Sequence, residues 1–385
     1  MSSVSRAPFI YVAAGAIGMA AAMGIGRFVY TPILPGMMDG LGLSASDAGL
    51  IASANYAGYL LGAVLASGRW GQGRERGVVL LSLLANAVLA AAMGAMQGLA
   101  VFLLVRFLAG IASAFVMVFI STIVFQRLIA RGRADLQAWH FGGVGAGIAM
   151  SSVMIAALVL AGAEWQAGWI WSGALSLAGL ILVFLMIEPV PAPAQKPPAE
   201  PGLPKNPALT RIIVAYGLFG FGYIITATFL VAIVRQGEAG RLFESVVWLA
   251  TGLAGIPSVW LWAIAARRWG LASVFAVGCV VEAIGVVASV ALGGYAGPLI
   301  GGVLLGGTFI AITAMGLQFG RQLAGEAPRR VIALMTAAFG VGQIAGPVVA
   351  GVVADRSGDF VLASLIAAVV LLVSGFVAYG AGKRA

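Results

Sequence analysis

Runs of about twenty mostly apolar, almost uncharged residues follow one another along the whole chain, parted by short polar stretches. In a hydrocarbon core ~30 Å thick every backbone N–H and C=O must be paired, and a helix rising 1.5 Å per residue crosses it in about twenty residues. On that ruler the sequence divides into twelve spans, at 9–30, 47–67, 78–96, 99–125, 138–161 and 167–187, then 210–234, 245–266, 271–292, 295–320, 331–353 and 360–380. A water-soluble globule is excluded, because apolar residues make up 61% of the chain and charged residues 9%, too few to cover one. The 55 glycines suit helices that must approach closely where lipid supplies no hydrophobic push between them. At 22 residues the first run is longer than a signal-peptide core and further spans follow, so cleavage is not expected.

Between the sixth and seventh spans lies EPVPAPAQKPPAEPGLPKNPAL, residues 188–209, with 8 of the 15 prolines. Proline fixes its own φ, lacks an N–H and pushes the preceding residue toward extended backbone, so this stretch is a semi-rigid spacer rather than a helix. The chain therefore reads as an N-terminal six-helix half (1–187), a linker (188–209) and a C-terminal half (210–385).

The net charge of +9 does not point to nucleic acid, since the basic residues come in ones to threes between spans instead of as a stripe. They act as topology signals. With a cytoplasmic N-terminus, 17 of the 22 Lys and Arg fall inside, which places both termini and the linker in the cytoplasm.

The halves also repeat. Gly24, Gly26 and Arg27 line up with Gly220, Gly222 and Tyr223 at an offset of 196, and Asp47 lines up with Glu244 at 197. Gly143 to Gly145 matches Gly340 to Gly342 at 197, and Arg69, Trp70, Gly71 matches Arg268, Trp269, Gly270 at 199. Four matches in order argue for two parallel six-helix units.

Two such halves joined by a long loop resemble the major facilitator superfamily. GRWGQGRER, with Arg69, Gly71, Arg74 and Arg76, is similar to the family's basic motif between the second and third helices, although Gly68 stands where that motif has Asp. RFLAGIASAF from Arg106 resembles the helix-four motif in which an intramembrane Arg precedes Gly by four residues, here Gly110. In the fifth span GGVGAGIAMS has the glycine density of an exporter motif without its Gly-Pro pair; Gly346-Pro347 occurs in the eleventh span instead. GIGRFVYTPILP and SANYAGYLLG look like the bacterial YbfB/YjiJ-type branch. The resemblance implies an all-α membrane fold and alternating access by rocking of the halves. It also implies residence in the bacterial inner membrane, with protons as coupling ion in symport or antiport. The expected partners are a small-molecule solute and the bilayer, with no cofactor, metal or nucleic acid and no second copy of the chain.

Arg27 and Arg106 are the intramembrane cations. Charge at the centre of a span costs ~2.5 to 3.5 kcal/mol on insertion scales, so such residues face a bundle interior or a watery pathway. Arg27, about 18 residues into the first span, is expected near its outer end, where Asp47 could pair with it; Arg106 could instead bond backbone carbonyls. Without an acidic residue in the inferred cavity helices, the reading is an organic anion held chiefly by Arg106 with Arg27 assisting. Tyr30, Tyr56, Tyr59, Tyr223 and Trp139 are candidate cavity aromatics, equally suited to packing. Asp47, His140, Glu244 and Glu282 are coupling or gating candidates. Against that, Asp47 and Glu244 suit helix N-termini, His140 suits an interfacial role, and Glu282 suits packing. One histidine excludes HExxH zinc sites, no pair of intramembrane carboxylates is available for aspartyl chemistry, and the G-x-G-x-x-A run at Gly340 has no preceding strand. An enzyme is therefore not expected. A transporter of organic anions, an exporter of hydrophobic or cationic compounds and a non-transporting scaffold remain the three readings.

Overall fold

The computed structural model describes residues 7–188, 201–237 and 239–382. Most of the proline linker, Arg6, Lys196, Lys383 and Arg384 lie outside these, and of Arg69 only the backbone is described. Among the described residues there are helices and no strands, and twelve helices are long and apolar enough to cross a membrane. They are α1 (Pro8–Leu41), α2 (Ala45–Ala66), α3 (Glu75–Ala95), α4 (Leu99–Ile129), α5 (Ala134–Leu160), α6 (Trp165–Met186), α7 (Pro207–Gln236), α8 (Arg241–Trp269), α9 (Leu271–Ala291), α10 (Ala296–Leu323), α11 (Pro328–Ser357) and α12 (Val361–Gly382).

Two boundaries differ from the sequence reading for reasons of proline chemistry. α7 starts at Pro207, inside the stretch read as linker, because a first-turn proline loses no intrahelical bond and the Asn206 side chain caps the Ala208 N–H at 2.9 Å. α1 runs on to Leu41 instead of stopping at Tyr30. Its ladder is already broken before Pro32: residues 20–25 form a π-helical turn, with Gly26 N–H bonded to Ala21 O and Phe28 N–H to Met23 O. Gly24 and Gly26 favour the break, and helix resumes at Tyr30 with Pro32 and Pro35 inside the continued span.

The two halves pack alike. In the first, α1 lies on α5, α2 on α4, and α3 on both α4 and α6; in the second, α7 lies on α11, α8 on α10, and α9 on both α10 and α12. A Cβ on Gly110 would come within 2.0 Å of the Asn55 carbonyl oxygen, and one on Gly306 within 2.0 Å of the Thr251 oxygen. Both pairs are related by an offset of 196, so the same backbone crossing is built twice.

The halves meet along α2 with α11 and α5 with α8. Glycine permits both seams. A Cβ on Gly49 would lie 2.2 Å from Pro347 O, and one on Gly252 would lie 2.4 Å from Ala149 N.

With six spans per half, the start of α1, the end of α6, the start of α7 and the end of α12 share one face, the linker face. The far face is sealed by polar contacts between the halves. Arg235 of α7 pairs with Asp39 of α1 and with Glu244 of α8. The Asp355 carboxylate of α11 accepts the Ala45 N–H at 2.9 Å and the Ser46 N–H at 3.0 Å, serving the helix N-terminus of α2 from the other half. Nearer mid-depth, Thr31 Oγ1 donates to Ala227 O at 2.6 Å and Ser53 Oγ to Ile344 O at 2.8 Å.

Candidate functional site

The site is built on the break in α1. Arg27 is the twentieth of the 34 residues of that span, close to mid-depth, rather than near the outer end as the shorter span had placed it. Around the break the carbonyls of Gly26 and Arg27 leave the helical ladder. Arg106 of α4 takes them up, its Nη1 donating to Gly26 O and its Nη2 to Arg27 O, both at 3.0 Å. The Arg106 guanidinium also lies 5.3 Å from the Tyr30 ring and 5.5 Å from that of Trp169, and it is 1% exposed. Ser113 Oγ donates to Ala22 O at 2.9 Å on the other side of the π turn. Irregular backbone at membrane depth is tolerated where protein groups satisfy it, and these two side chains do so.

The bend thrown into α1 presents the Arg27 guanidinium to the plane between the halves. It sits 4.6 Å from the Tyr56 ring and 4.3 Å from the Tyr59 ring, and Nη2 donates to Gln343 Oε1 of α11 at 2.9 Å. Nε has no partner, and no carboxylate stands in salt-bridge contact with Arg27 among the described residues. Gln343 Nε2 donates in turn to the Tyr223 hydroxyl. The Tyr223 ring is stacked on Phe219, Phe309 and Phe339 at centroid distances of 5.2, 5.9 and 5.6 Å, and Phe28 meets Phe309 edge-on at 5.5 Å. Tyr56 and Thr228 hydroxyls lie 3.2 Å apart across the halves. The result is one buried cation, one amide and an aromatic wall, shared by both repeats.

The family described as "Uncharacterised MFS-type transporter YbfB" matches residues 19–379. The chain belongs to this branch of the major facilitator superfamily. It is a multi-pass membrane transporter and not an enzyme. In fold it is similar to a variant of the nucleoside transporter NupG, with a TM-score of 0.75, 16% identity, and coverage of 96% of this chain and 99% of that one. NupG itself gives a TM-score of 0.69 at 16% identity, covering 98% and 99%. A bacterial homolog of the human lysosomal transporter Spinster, inward-facing and unoccupied, gives 0.69 at 12% identity, covering 98% and 97%. At such identities the likeness is one of fold. A search of curated proteins finds no match in sequence.

Within this facilitator the other sequence candidates are dispersed. Tyr56, Tyr59 and Tyr223 gather at Arg27, but Tyr30 turns into the first half, where its hydroxyl donates to Ala48 O at 2.9 Å. Trp139 stacks on Trp260 at 6.0 Å on the bundle exterior, 40% exposed, and does not reach the centre. Asp47 is not the partner of Arg27. It closes a capping box with Ser44 at the start of α2, accepting the Ser44 N–H at 3.1 Å, because a carboxylate at the third helical position reaches its own N-terminus first. Glu244 anchors Arg235 on the far face. His140 is fully buried, with Nε2 2.9 Å from Ser121 Oγ and its ring against Phe125.

The basic loop motif is a brace on the linker face. Arg69 and Gly71 belong to a single 3₁₀ turn, and a Cβ on Gly71 would strike the Phe119 ring at 2.4 Å. Arg74 sits at the start of α3, and Arg76 donates to Ile187 O at 2.8 Å and Phe184 O at 3.1 Å, closing the C-terminus of α6. Sequence reasoning missed Gln343, Asp39 and Asp355. A lone amide within an apolar span was the available signal for Gln343, but it stands inside GVGQIAG, where the glycines drew the reading toward helix packing.

Proposed function

We propose that this transporter carries a small organic anion across the bacterial inner membrane by alternating access, with its termini and linker in the cytoplasm and a proton gradient as the driving force. The observation that supports the anion is Arg27, 3% exposed, at mid-depth between the halves, where among the described residues its guanidinium meets a neutral amide and the rings of Phe28, Tyr56 and Tyr59 but no carboxylate. Removing a guanidinium from water without a carboxylate leaves its charge uncompensated, and a solute carboxylate would compensate it through two parallel hydrogen bonds. Arg106 has a positioning part in this reading, since both its Nη groups are taken by the carbonyls that hold the bend.

A second reading is favoured by the aromatic wall at Tyr223 and by Gln343, which together suit a planar heterocycle; NupG, similar in fold, is a nucleoside transporter. The test is a thermal-shift and proteoliposome-flux panel with benzoate, succinate, adenosine and tetraphenylphosphonium on wild type and Arg27→Gln. Carboxylate binding that the substitution abolishes supports the anion. Adenosine binding that survives it favours the heterocycle, tetraphenylphosphonium flux favours the exporter, and no flux at all favours a scaffold. Reporter fusions at Lys205 and after Gly382 should both read cytoplasmic.

A further inference from the structure

Glu282 is the twelfth of the 21 residues of α9 and is 1% exposed, on the seam with α10. Its Oε2 lies 3.0 Å from Thr308 Oγ1 and its Oε1 has no partner. Thr308 Oγ1 is also 2.6 Å from Leu304 O and 3.2 Å from Leu305 O. A hydroxyl has one proton and carbonyls only accept. With that proton on Leu304 O, at the shortest of the three distances, the contact with Glu282 needs a proton on the carboxyl. An ionised carboxylate here would turn one oxygen to a lone pair and leave the other with no donor, in an apolar seam.

The neighbouring elements bring no compensating cation to this depth. α10 carries Arg321 near its linker-face end, α8 carries Arg241, Glu244, Arg267 and Arg268 at its two ends, and α7 carries Arg211 and Arg235 at its ends. On α12 the titratable side chain is Tyr379, near the linker face. α7 faces the region with Tyr216, which donates to Thr313 O, and with Tyr223, which accepts from Gln343. One turn back on α9, Cys279 Sγ lies 3.7 Å from Ser374 Oγ of α12.

Thr308 and Phe309 are successive residues of α10. The first faces Glu282; the second stacks on Tyr223 and meets Phe28 in the central cluster. One helix thus touches the buried acid on one side and the solute candidate site on the other. We propose that Glu282 is a proton-binding residue of the transport cycle. It carries its proton while the far face is sealed. When solute at Arg27 and Tyr223 shifts α10, water enters the α9–α10 seam, the carboxyl O–H bond breaks, the proton passes to water and the carboxylate remains. Closing the seam reverses the step. This rests on the transporter reading and adds the place where the proton rides.

The test uses wild type, Glu282→Gln and Thr308→Val in nanodiscs without any solute. Infrared spectra at neutral pH should contain a protonated-carboxyl carbonyl band that is missing from Glu282→Gln and shifted in Thr308→Val, which serves if the first variant fails to fold. Cys279, the sole cysteine, reports the seam through N-ethylmaleimide labelling. Its labelling rate should climb more steeply with pH in wild type than in Glu282→Gln, by up to about tenfold per pH unit for one extra proton released. Absence of the acid band, or superimposable labelling profiles, overturns the proposal and leaves transport untouched. A protein that moves no solute yet keeps the band would instead overturn the transporter reading.

Discussion

Arg27 of the first half and Gln343 of the second are joined by a 2.9 Å hydrogen bond, and Gln343 passes the connection on to Tyr223, the residue that occupies Arg27's place in the second repeat. The two repeats thus present a cation and a phenol at equivalent positions, with one amide between them. A hydrogen bond to a charged group contributes about 1.5 to 3 kcal/mol, so a solute carboxylate that claims Arg27 must exceed that and, in doing so, releases Gln343. On the proposed anion reading, solute binding would be linked to separation of the halves through this same bond.

Gln343→Glu should place a carboxylate against Arg27 and satisfy it internally. The variant is expected to melt higher than wild type and to lose its thermal shift with benzoate. Gln343→Leu should melt lower, because it leaves the Tyr223 hydroxyl without its donor, and should keep benzoate binding. If benzoate stabilised Gln343→Glu as well as wild type, Arg27 would not be the anion's seat.

Arg106→Ala should orphan the Gly26 and Arg27 carbonyls, at about 1 to 3 kcal/mol for each buried acceptor, and lower the melting temperature in proportion. Arg106→Lys should recover about half of that, since an ammonium lacks the planar fork that reaches both oxygens. Arg27→Lys should leave melting nearly unchanged and weaken benzoate binding by roughly tenfold or more, about 1.4 kcal/mol per factor of ten. Equal melting losses in the two arginine series would contradict the division into a positioning and a binding residue.

Asp355→Ala removes the acceptor for the Ala45 and Ser46 N–H groups on the far face. Loss of such a cap costs about 0.5 to 2 kcal/mol, which should move the population toward far-face-open states by roughly 2- to 30-fold. Spin-label distances between the far-face ends of α2 and α11 should lengthen accordingly. Adding Arg235→Ala should increase the effect, and an unchanged distance distribution in the double variant would show that these contacts do not hold the face shut.

Gly49→Ala should hinder sealing of the same face, because its Cβ would lie 2.2 Å from the Pro347 carbonyl oxygen across the α2–α11 seam. Gly77→Ala in α3 is the control, with nothing within 4 Å of the added carbon, and should gain up to about 1 kcal/mol of helix propensity. Far-side cysteine labelling at Ser46→Cys should rise with the first and stay level with the second.

Much of the architecture was legible because membrane thickness imposes a length on each span, and a duplicated unit leaves aligned glycines behind. The offset of 196 that paired Arg27 with Tyr223 is the offset at which Gly110 and Gly306 make the same crossing. The end of α1 was misjudged because the length needed for one span was used up at Tyr30, whereas the helix runs on to Leu41 with Pro32 and Pro35 inside it. Proline costs a helix least where no ladder bond would form, which is the case for Pro32 in the first turn after the π break, while Pro35 lies inside the resumed helix and gives up one bond there.

By itself the sequence determined twelve spans, two parallel halves, a shared side for linker and ends, and two arginines where lipid cannot tolerate them. Local length, charge and periodicity suffice for these. Which arginine braces the fold and which faces the gap between the halves was decided only in three dimensions. Residue type is the same for both. What separates them is the acceptor each guanidinium reaches: carbonyls released by a helix break for Arg106, and an amide more than three hundred residues away for Arg27.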